Sequence, residues 1–186
     1  MQLITVKPDW YNDDMLSSSI TNTKGNTVGS RSKIDLAYIA GFLDGDGSLM
    51  LQLKKRKDTK LGWRFVPTIC LYQDSRHEES LLWIRQVLGI GYLSRRKDGI
   101  TELRINGYSQ TLEILNDLRP YLRLKQLQAD RLIAANKILR GTKQSELSSS
   151  QLSTLVDNML DVQEQNYVAK KKKTRQENMF ILGLTP

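Results

Sequence analysis

Apolar residues near the start of the predicted folded region recur at helical spacing. Four of them stand at positions i, i+3, i+4 and i+7, namely Leu36, Ile39, Ala40 and Leu43. Since this spacing places them on one side of a helix, and Ser32 stands where an N-cap would, the pattern predicts a short amphipathic helix. The helix is predicted to end in the sequence Gly45-Asp46-Gly47.

The pattern then changes to a period of two, which is typical of half-buried β-strands. Within residues 48–57 the apolar positions are Leu49, Leu51 and Leu53. Residues 63–73 form a second apolar-rich run, and the two runs together predict a hairpin joined through residues 58–62. One face of this hairpin is expected to be apolar and the other mostly polar or basic.

A second hairpin and further helices follow. Gly89 is expected to end a helix, and Asp98-Gly99 is typical of a hairpin turn. The predicted elements are a helix at 75–88, strands at 92–96 and 100–106, and helices at 109–118 and 124–139. The order α-β-β-α-β-β-α predicts an α+β fold, in which helices cover one face of a four-stranded antiparallel sheet.

The two ends of the chain differ in composition from its centre. Residues 1–33 include the run SSSITNTKGNTVGSRSK, which predicts a flexible leader. Residues 141–186 begin with the linker-like GTKQSELSSSQ and continue with a helical pattern of apolar residues. We therefore divide the chain into a leader at 1–33, a core at 34–140 and a C-terminal helical extension at 141–186.

Basic side chains outnumber acidic ones by 28 to 20, which gives a formal net charge of +8. Residues 34–140 hold 18 basic and 12 acidic groups, so most of the excess lies in the core. A separate basic cluster near the C-terminus consists of Lys170, Lys171, Lys172 and Lys173. Such surfaces either bind nucleic acid or are simply solvated.

Cysteine and histidine are almost absent from the sequence. One Cys and one His exclude an internal disulfide and a four-ligand zinc site, so an intracellular, reducing location is expected. No apolar run reaches the ~18 residues of a membrane span, and the first residues lack the pattern of a signal peptide. We expect a soluble protein with no membrane partner.

The sequence IAGFLDGDG at residues 39–47 carries the candidate chemistry. Asp44 and Asp46 stand two residues apart at the C-terminal end of the first predicted helix, where the helix dipole is negative. Clustered carboxylates attract a hard divalent cation such as Mg²⁺. Alternatively, the same residues form an ordinary helix C-cap followed by a polar turn.

This nonapeptide resembles the LAGLIDADG signature of homing endonucleases, and it stands at the start of the α-β-β-α-β-β-α pattern that this family uses. The resemblance is closest to single-motif, homodimeric members encoded by mobile group I introns of the chloroplast type. GIGYL at residues 89–93 and RPYLRLKQLQAD at 119–130 are also similar to segments of those enzymes. Several matched segments in order are stronger evidence than one short motif.

The resemblance implies a role for particular residues of the site. Asp46 matches the catalytic aspartate that binds the metal, with the main-chain carbonyl of Gly45 as a further ligand. Mg²⁺ is the implied cofactor, and Mn²⁺ or Ca²⁺ can occupy the same site. Gln73 and Lys125 match groups around the scissile phosphates, and His77 stands where relatives can carry an arginine. The implied dimer interface consists of Ile39, Ala40, Gly41, Leu43 and Asp44.

The resemblance also implies that alternate side chains of the four strands enter the major groove of double-stranded DNA. These side chains belong to Ser48, Met50, Gln52, Lys54, Arg56, Arg64, Val66, Thr68, Cys70, Tyr72, Ser94, Arg96, Glu102 and Arg104. Arg and Gln suit the edges of guanine and adenine, and Glu can accept a hydrogen bond from cytosine. The Lys170 to Lys173 cluster is assigned to the DNA backbone.

One copy of the motif supplies one catalytic aspartate, whereas a duplex has two strands. The expected enzyme is therefore a homodimer that makes a staggered double-strand break at a long pseudo-palindromic site and so promotes intron mobility. Metal-dependent phosphodiester hydrolysis needs no Ser, Cys or His nucleophile. The expected location is an organelle, either chloroplast or mitochondrion, or a prokaryotic cytoplasm, and no small-molecule substrate is expected.

Three other interpretations remain open at this point. Some proteins with this motif are RNA-binding maturases that assist splicing of their intron. Others are DNA-binding modules without catalysis, which tend to lose the acidic residues that this chain keeps. The third is an ordinary α+β domain with a solvated basic face. An intein is disfavoured, because no flanking splicing domain fits the length.

Overall fold

The computed structural model describes residues 31–57, 62–166 and 173–184. Its helices are α1 (Lys33–Asp46), α2 (Glu79–Leu88), α3 (Tyr108–Leu118), α4 (Gln126–Gly141), α5 (Ser149–Glu164) and α6 (Arg175–Ile181), and its strands are β1 (Gly47–Lys55), β2 (Trp63–Asp74), β3 (Tyr92–Arg95) and β4 (Ile100–Asn106). Short 3₁₀ turns lie at Ser75–His77 and Gln144–Glu146. Within these stretches, no helix is both long and apolar enough to cross a membrane.

The four strands form one antiparallel sheet in the order β1-β2-β4-β3. Gly47 pairs with Leu71 and Lys55 with Trp63 in the first hairpin. The second hairpin joins the first through β4, where Leu103 pairs with Leu71. The predicted α+β fold and its four-stranded antiparallel sheet are confirmed.

The sheet has one apolar face, and the helices pack on it. Its central side chains are at most 1% exposed, and they belong to Leu49, Leu51, Phe65, Ile69, Leu71, Leu103 and Ile105. They join the buried residues of the helices in a continuous core. Because successive strand residues point to opposite faces, the intervening polar side chains lie on the face away from this core.

The junction between α1 and β1 is tight. The side chain of Ser32 caps the helix by accepting a hydrogen bond from the N–H of Asp35 at 3.1 Å. At the other end, a Cβ atom added to Gly47 would lie 2.4 Å from Leu43 Cδ1 and 2.7 Å from the Leu43 carbonyl oxygen. The glycine therefore lets β1 start directly against the last turn of the helix.

Asp44 joins the end of α1 to the start of α4. Its carboxylate accepts hydrogen bonds from the main-chain N–H groups of Arg123, Leu124 and Lys125 at 2.6, 3.2 and 3.0 Å. The residue is only 8% exposed. Because N–H groups at the start of a helix lack partners within it and carry positive charge, a carboxylate suits this position.

Arg31, which the sequence analysis groups with the leader, contacts the folded core. Its guanidinium donates hydrogen bonds to Asp117 at 2.6 Å, to Glu113 at 3.0 Å and to the carbonyl oxygen of Leu88 at 3.0 Å. Residues 1–30 of the predicted leader lie outside the described part of the chain. Arg31 thus fastens the residue next to the α1 cap to α2 and α3.

The C-terminal extension packs beside the outer strand β1. Ser148 and Gln151 form a capping box at the start of α5, as the helical pattern there would require. After α5, the side-chain amide of Asn166 donates a hydrogen bond to the carbonyl oxygen of Leu49 at 3.0 Å. This contact occupies a group of an edge strand that has no neighbour on that side. The last helix, α6, was not predicted from the sequence and packs on α5.

The two faces of β1 predict different effects of substitution on stability. We expect Leu51→Ala to lower the free energy of unfolding by about 2–5 kcal/mol, because Leu51 is buried in the core. The adjacent Gln52→Ala should change it by less than about 0.5 kcal/mol, since Gln52 lies on the other face. Urea denaturation measures both, and equal losses would contradict the described register.

Candidate active site and nucleic-acid interface

The two carboxylates of the motif point in different directions at the end of α1. Asp44 is buried against the loop before α4, whereas Asp46 is exposed and its carboxylate accepts no hydrogen bond from a described residue. Residues two apart on a helix point about 200° apart, so one of the pair faces inward when the other faces outward. Asp46 is therefore the carboxylate available to a ligand.

Lys125 lies beside this carboxylate pair. Its ammonium group donates a hydrogen bond to the main-chain carbonyl oxygen of Asp44 at 2.5 Å. Burial lowers the pKa of Lys125, and the nearby carboxylates of Asp44 and Asp46 act in the opposite direction. The structure thus brings Lys125 and Asp46 together, although they are far apart in sequence.

Gln73 lies near the end of β2, and His77 lies in the 3₁₀ turn that follows this strand. Because Gly47 pairs with Leu71, Gln73 lies at the end of the sheet where Asp46 leads into β1. The Gln73 side-chain oxygen accepts a hydrogen bond from the N–H of Asp74 at 2.8 Å. His77 is exposed in the 3₁₀ turn that follows. Among the described residues, no hydrogen bond joins either side chain to Asp46.

The predicted dimer interface is wrong for four of its five residues. Ile39, Ala40 and Leu43 have no exposed surface in the single chain, and Asp44 is held by the α4 loop. These residues lie on the core side of α1, where the same helical spacing that predicted the helix also places them. Only Gly41 is exposed.

The opposite side of α1 is exposed and carries small and apolar residues. They are Ile34, Ala37, Tyr38, Gly41 and Gly45. Ile34 is 83% exposed, and a Cβ atom added to Gly41 or Gly45 would meet nothing within 4 Å. Leu124, in the loop held by Asp44, is 76% exposed. We call the five exposed small and apolar residues of α1 the outer face of α1, and Leu124 lies outside this set.

Most of the predicted DNA-contacting side chains lie on the polar face of the sheet with exposed surface. Those with substantial exposure are Lys54, Arg56, Arg64, Ser94 and Arg96, and those with partial exposure are Ser48, Met50, Gln52, Val66, Tyr72 and Arg104. Five of these eleven residues are basic. The face therefore has the charge that a polyanion requires.

Thr68, Cys70 and Glu102 are exceptions, because they are buried on the central strands β2 and β4. They are 1%, 0% and 6% exposed, so they have almost no surface for DNA. Thr68 donates a hydrogen bond to Asn106 at 2.8 Å, and burial raises the pKa of the Cys70 thiol. A central strand has a neighbour on each side, and longer side chains of those neighbours cover short ones.

Glu102 orders two arginines of this face. Its carboxylate accepts hydrogen bonds from Arg96 at 3.0 Å and from Arg104 at 2.8 Å. Burial alone would raise the pKa of Glu102, but the hydrogen bonds from Arg104 and Arg96 outweigh it and the pKa is lowered. The carboxylate therefore stays charged and holds both guanidinium groups in place.

Tyr72 is also held by a neighbouring side chain, at a position closer to Asp46. Its hydroxyl lies 3.0 Å from Ser48 Oγ. Burial, followed by the neighbouring Cys70, raises the pKa of Tyr72 to about 12. The side chain therefore remains a neutral phenol that can donate a hydrogen bond.

Two residues of the polar face were missed in the sequence analysis. Tyr92 is exposed and pairs with Arg104, and Asn106 is exposed and pairs with Thr68. Extending the strand alternation by one step, backwards from Ser94 and forwards from Arg104, would have found both.

The C-terminal lysine cluster is only partly described. Lys170, Lys171 and Lys172 lie outside the described residues. Lys173 is exposed, and its ammonium group lies 5.2 Å from the ring centroid of Trp63 at the start of β2. This contact brings the end of the cluster to the sheet.

One chain offers a partial set of ligands for a metal ion. In the described part of the chain, no three His, Cys, Asp or Glu side chains group to hold one. The exposed Asp46 carboxylate and the main-chain carbonyl of Gly45 are hard oxygen donors at the negative end of a helix. This donor set fits Mg²⁺, which usually takes few protein ligands and completes its shell with water and phosphate oxygens.

Comparison with known proteins gives consistent matches. A family model described as LAGLIDADG endonuclease matches residues 39–139. DNA endonuclease I-CvuI of Chlorella vulgaris is 32% identical over 111 residues, which are 60% of this chain and 69% of that protein. DNA endonuclease I-CreI of Chlamydomonas reinhardtii is 28% identical over 158 residues, 85% of this chain and 90% of that protein.

The fold is shared as well. A crystal structure of I-CvuI, in complex with the I-CreI target in the presence of Mg, matches with a TM-score of 0.72 and 27% identity. The match covers 83% of this chain and 98% of that chain. Since the family model spans more than half of the chain and the motif aspartates occupy the end of α1, the chain belongs to the LAGLIDADG endonuclease family.

Proposed function

We propose that this protein is a homing endonuclease that binds a long pseudo-palindromic DNA site as a homodimer and cleaves both strands by metal-dependent hydrolysis, which promotes intron mobility. Its relatives I-CvuI and I-CreI are named DNA endonucleases, and the I-CvuI structure contains target DNA. The observation that carries the proposal is the exposed carboxylate of Asp46 at the end of α1, where the ammonium group of Lys125 binds the main-chain carbonyl of Asp44.

The active-site residues supply charge and hydrogen bonds for phosphodiester hydrolysis. Asp46 and the carbonyl of Gly45 hold Mg²⁺, and Mn²⁺ or Ca²⁺ can take its place. A bound divalent ion lowers the pKa of water and neutralises charge on the reacting phosphate. Lys125 adds positive charge next to the scissile phosphate, where charge develops during the reaction. Gln73 and His77 donate hydrogen bonds to phosphate oxygens and water at the same end of the sheet.

The polar face of the sheet binds DNA in the major groove. Arg96 and Arg104, ordered by Glu102, suit the two acceptor groups of guanine, and Gln52 suits adenine. The Lys170 to Lys173 cluster contacts phosphates. A sheet of four strands with alternate side chains outward contacts several consecutive base pairs, which accounts for a long site.

The outer face of α1 forms the dimer interface in this proposal. Gly41 and Gly45 leave space for a second helix to approach closely, and Ile34, Tyr38 and Leu124 provide exposed apolar surface around them. A two-fold axis at this face brings Asp46 of each copy to the same side, one for each DNA strand.

Asp46 and Asp44 provide a paired test of this proposal. We expect Asp46→Asn to lower cleavage of DNA at least about a hundredfold, because a neutral amide binds a divalent ion poorly. Its unfolding free energy should change by less than about 0.5 kcal/mol, since the carboxylate is exposed. The assay uses wild type and variant with Mg²⁺ and a randomised library of DNA targets.

Asp44→Asn is the matched control, and unlike Asp46→Asn it should lower the free energy of unfolding. It removes charge from three hydrogen bonds, so we expect about 1.5–3 kcal/mol less unfolding free energy in urea. A wild-type protein that cuts no target, or an Asp46→Asn variant that cuts as fast, would refute the nuclease. Binding of intron RNA without DNA cleavage would favour a maturase.

Gly41→Leu tests the interface. We expect at least about a tenfold weaker dimer by sedimentation equilibrium, because the side chain would separate the two helices. The monomer should fold as well as wild type, since a Cβ atom at Gly41 has open space and leucine is the better helix former.

Gly141→Leu, at the equally open end of α4, serves as the control and should leave the dimer intact. In a plasmid-cleavage assay, Gly41→Leu should give nicked plasmid, whereas Gly141→Leu should give linear plasmid, as wild type does. A Gly41→Leu protein that dimerises as tightly as wild type would place the interface elsewhere.

A further inference from the structure

The 3₁₀ turn that carries His77 is fastened to the β3–β4 hairpin by the next residue, Glu78. The Glu78 carboxylate accepts hydrogen bonds from Nε and Nη2 of Arg95 at 2.9 and 2.5 Å. It also accepts one from the hydroxyl of Thr101 at 2.8 Å. The Glu78 side chain is only 14% exposed, although Arg95 is 68% exposed. One carboxylate thus joins the turn to both strands of the hairpin.

The other end of the turn is attached to the same hairpin. The N–H of Ser75 donates a hydrogen bond to the carbonyl oxygen of Gly99 at 2.8 Å. The hydroxyl of Ser75 lies 2.9 Å from that of Thr101, which is fully buried. Since the turn is one 3₁₀ unit held at both ends, the hairpin determines where His77 lies.

The charge of the link persists at neutral pH. Hydrogen bonds from Arg95 lower the pKa of Glu78, and the hydroxyl of Thr101 acts in the same direction, against the effect of burial. The Glu78 carboxylate and the Arg95 guanidinium are joined by two parallel hydrogen bonds, which fix their orientation as well as their distance. By contrast, the partner of Arg76 among the described residues is the neighbouring Asp74 at the end of β2, so exposed Arg76 does not attach the turn to the hairpin.

We infer that Glu78 is a positioning residue for DNA cleavage, which holds the His77 turn in fixed relation to the hairpin that carries Ser94 and Arg96. The inference rests on the proposed nuclease function and deepens it. Glu78 does not touch DNA; it acts through the turn. When Arg96 engages a base, the link through Arg95 and Thr101 places His77 at the end of the sheet that holds Asp46.

The test separates cleavage from binding. Glu78→Ala should lower the single-turnover rate constant for cleavage by about ten- to a hundredfold, because small displacements of catalytic groups are costly. The Kd for target DNA, measured with Ca²⁺, should change by less than about threefold. Glu78→Gln keeps one of the two acceptor oxygens but turns an NH₂ group toward the remaining donors, so it should recover only part of the rate.

Asp161→Ala is the control variant. It removes a carboxylate from another ion pair between elements, with Arg131 at 2.8 Å, in the helices α4 and α5. Its cleavage rate should equal that of wild type. If Glu78→Ala does not fold, Arg95→Ala breaks the same link from its exposed side and is tested identically.

The outcomes distinguish the inference from the proposed function. A Glu78→Ala enzyme that cleaves as fast as Asp161→Ala, or that loses only DNA affinity, overturns the positioning role and leaves the nuclease intact. A wild-type protein that binds target DNA without cleaving it overturns the nuclease, and the positioning role falls with it. A slower rate with unchanged affinity for Glu78→Ala, and an intermediate rate for Glu78→Gln, supports the inference.

Discussion

The last turn of α1 has to satisfy three neighbours at once, and helix geometry assigns one residue to each. Leu43 packs into the core, Asp44 takes the N–H groups before α4, and Asp46 is left exposed. Because successive helical residues point about 100° apart, none of the three can turn without displacing the others. Gly47 adds a second constraint, since only a residue without a side chain lets β1 begin against Leu43. The strand register and the position of Lys125 both follow from this junction.

The polar face of the sheet combines exposed side chains with buried ones that support them. Thr68, Cys70 and Glu102 lie within the central strands, where flanking strands on both sides contribute to their burial. Glu102 differs from the other two because its carboxylate binds two arginines of the exposed surface. One carboxylate hydrogen-bonded to two guanidinium groups restricts both arginines before any ligand arrives. Side chains that are already ordered lose less conformational entropy on binding, so the buried residues contribute to recognition without contacting the ligand.

Local periodicity was sufficient to predict the order of the elements from α1 to α4 and the two faces of the sheet, since each depends only on neighbouring residues. The predicted dimer interface fails at Ile39, Ala40 and Leu43 because they form the apolar side of α1 that packs into the core, and one side of a helix cannot serve both the core and an interface. The burial of Cys70 depends on strand order, which no local pattern contains. Contacts such as those of Arg31 with α3, or of Lys125 with Asp44, join residues about 80 positions apart and are visible only in the folded chain.

The buried carboxylate of Asp44 and the half-buried carboxylate of Glu78 have the same physical role, although they differ in sequence context. Asp44 holds the loop that carries Lys125, and Glu78 holds the turn that carries His77. A surface that attracts phosphate tolerates a carboxylate only where N–H or guanidinium groups already neutralise it, because a free one would repel the ligand. Acidic residues next to such a surface are therefore restricted to anchoring positions, unless a metal ion compensates them. Asp46 is exposed and has no such partner in the described part of the chain, and that contrast is the physical reason to assign the metal to Asp46 and an anchoring role to Asp44 and Glu78.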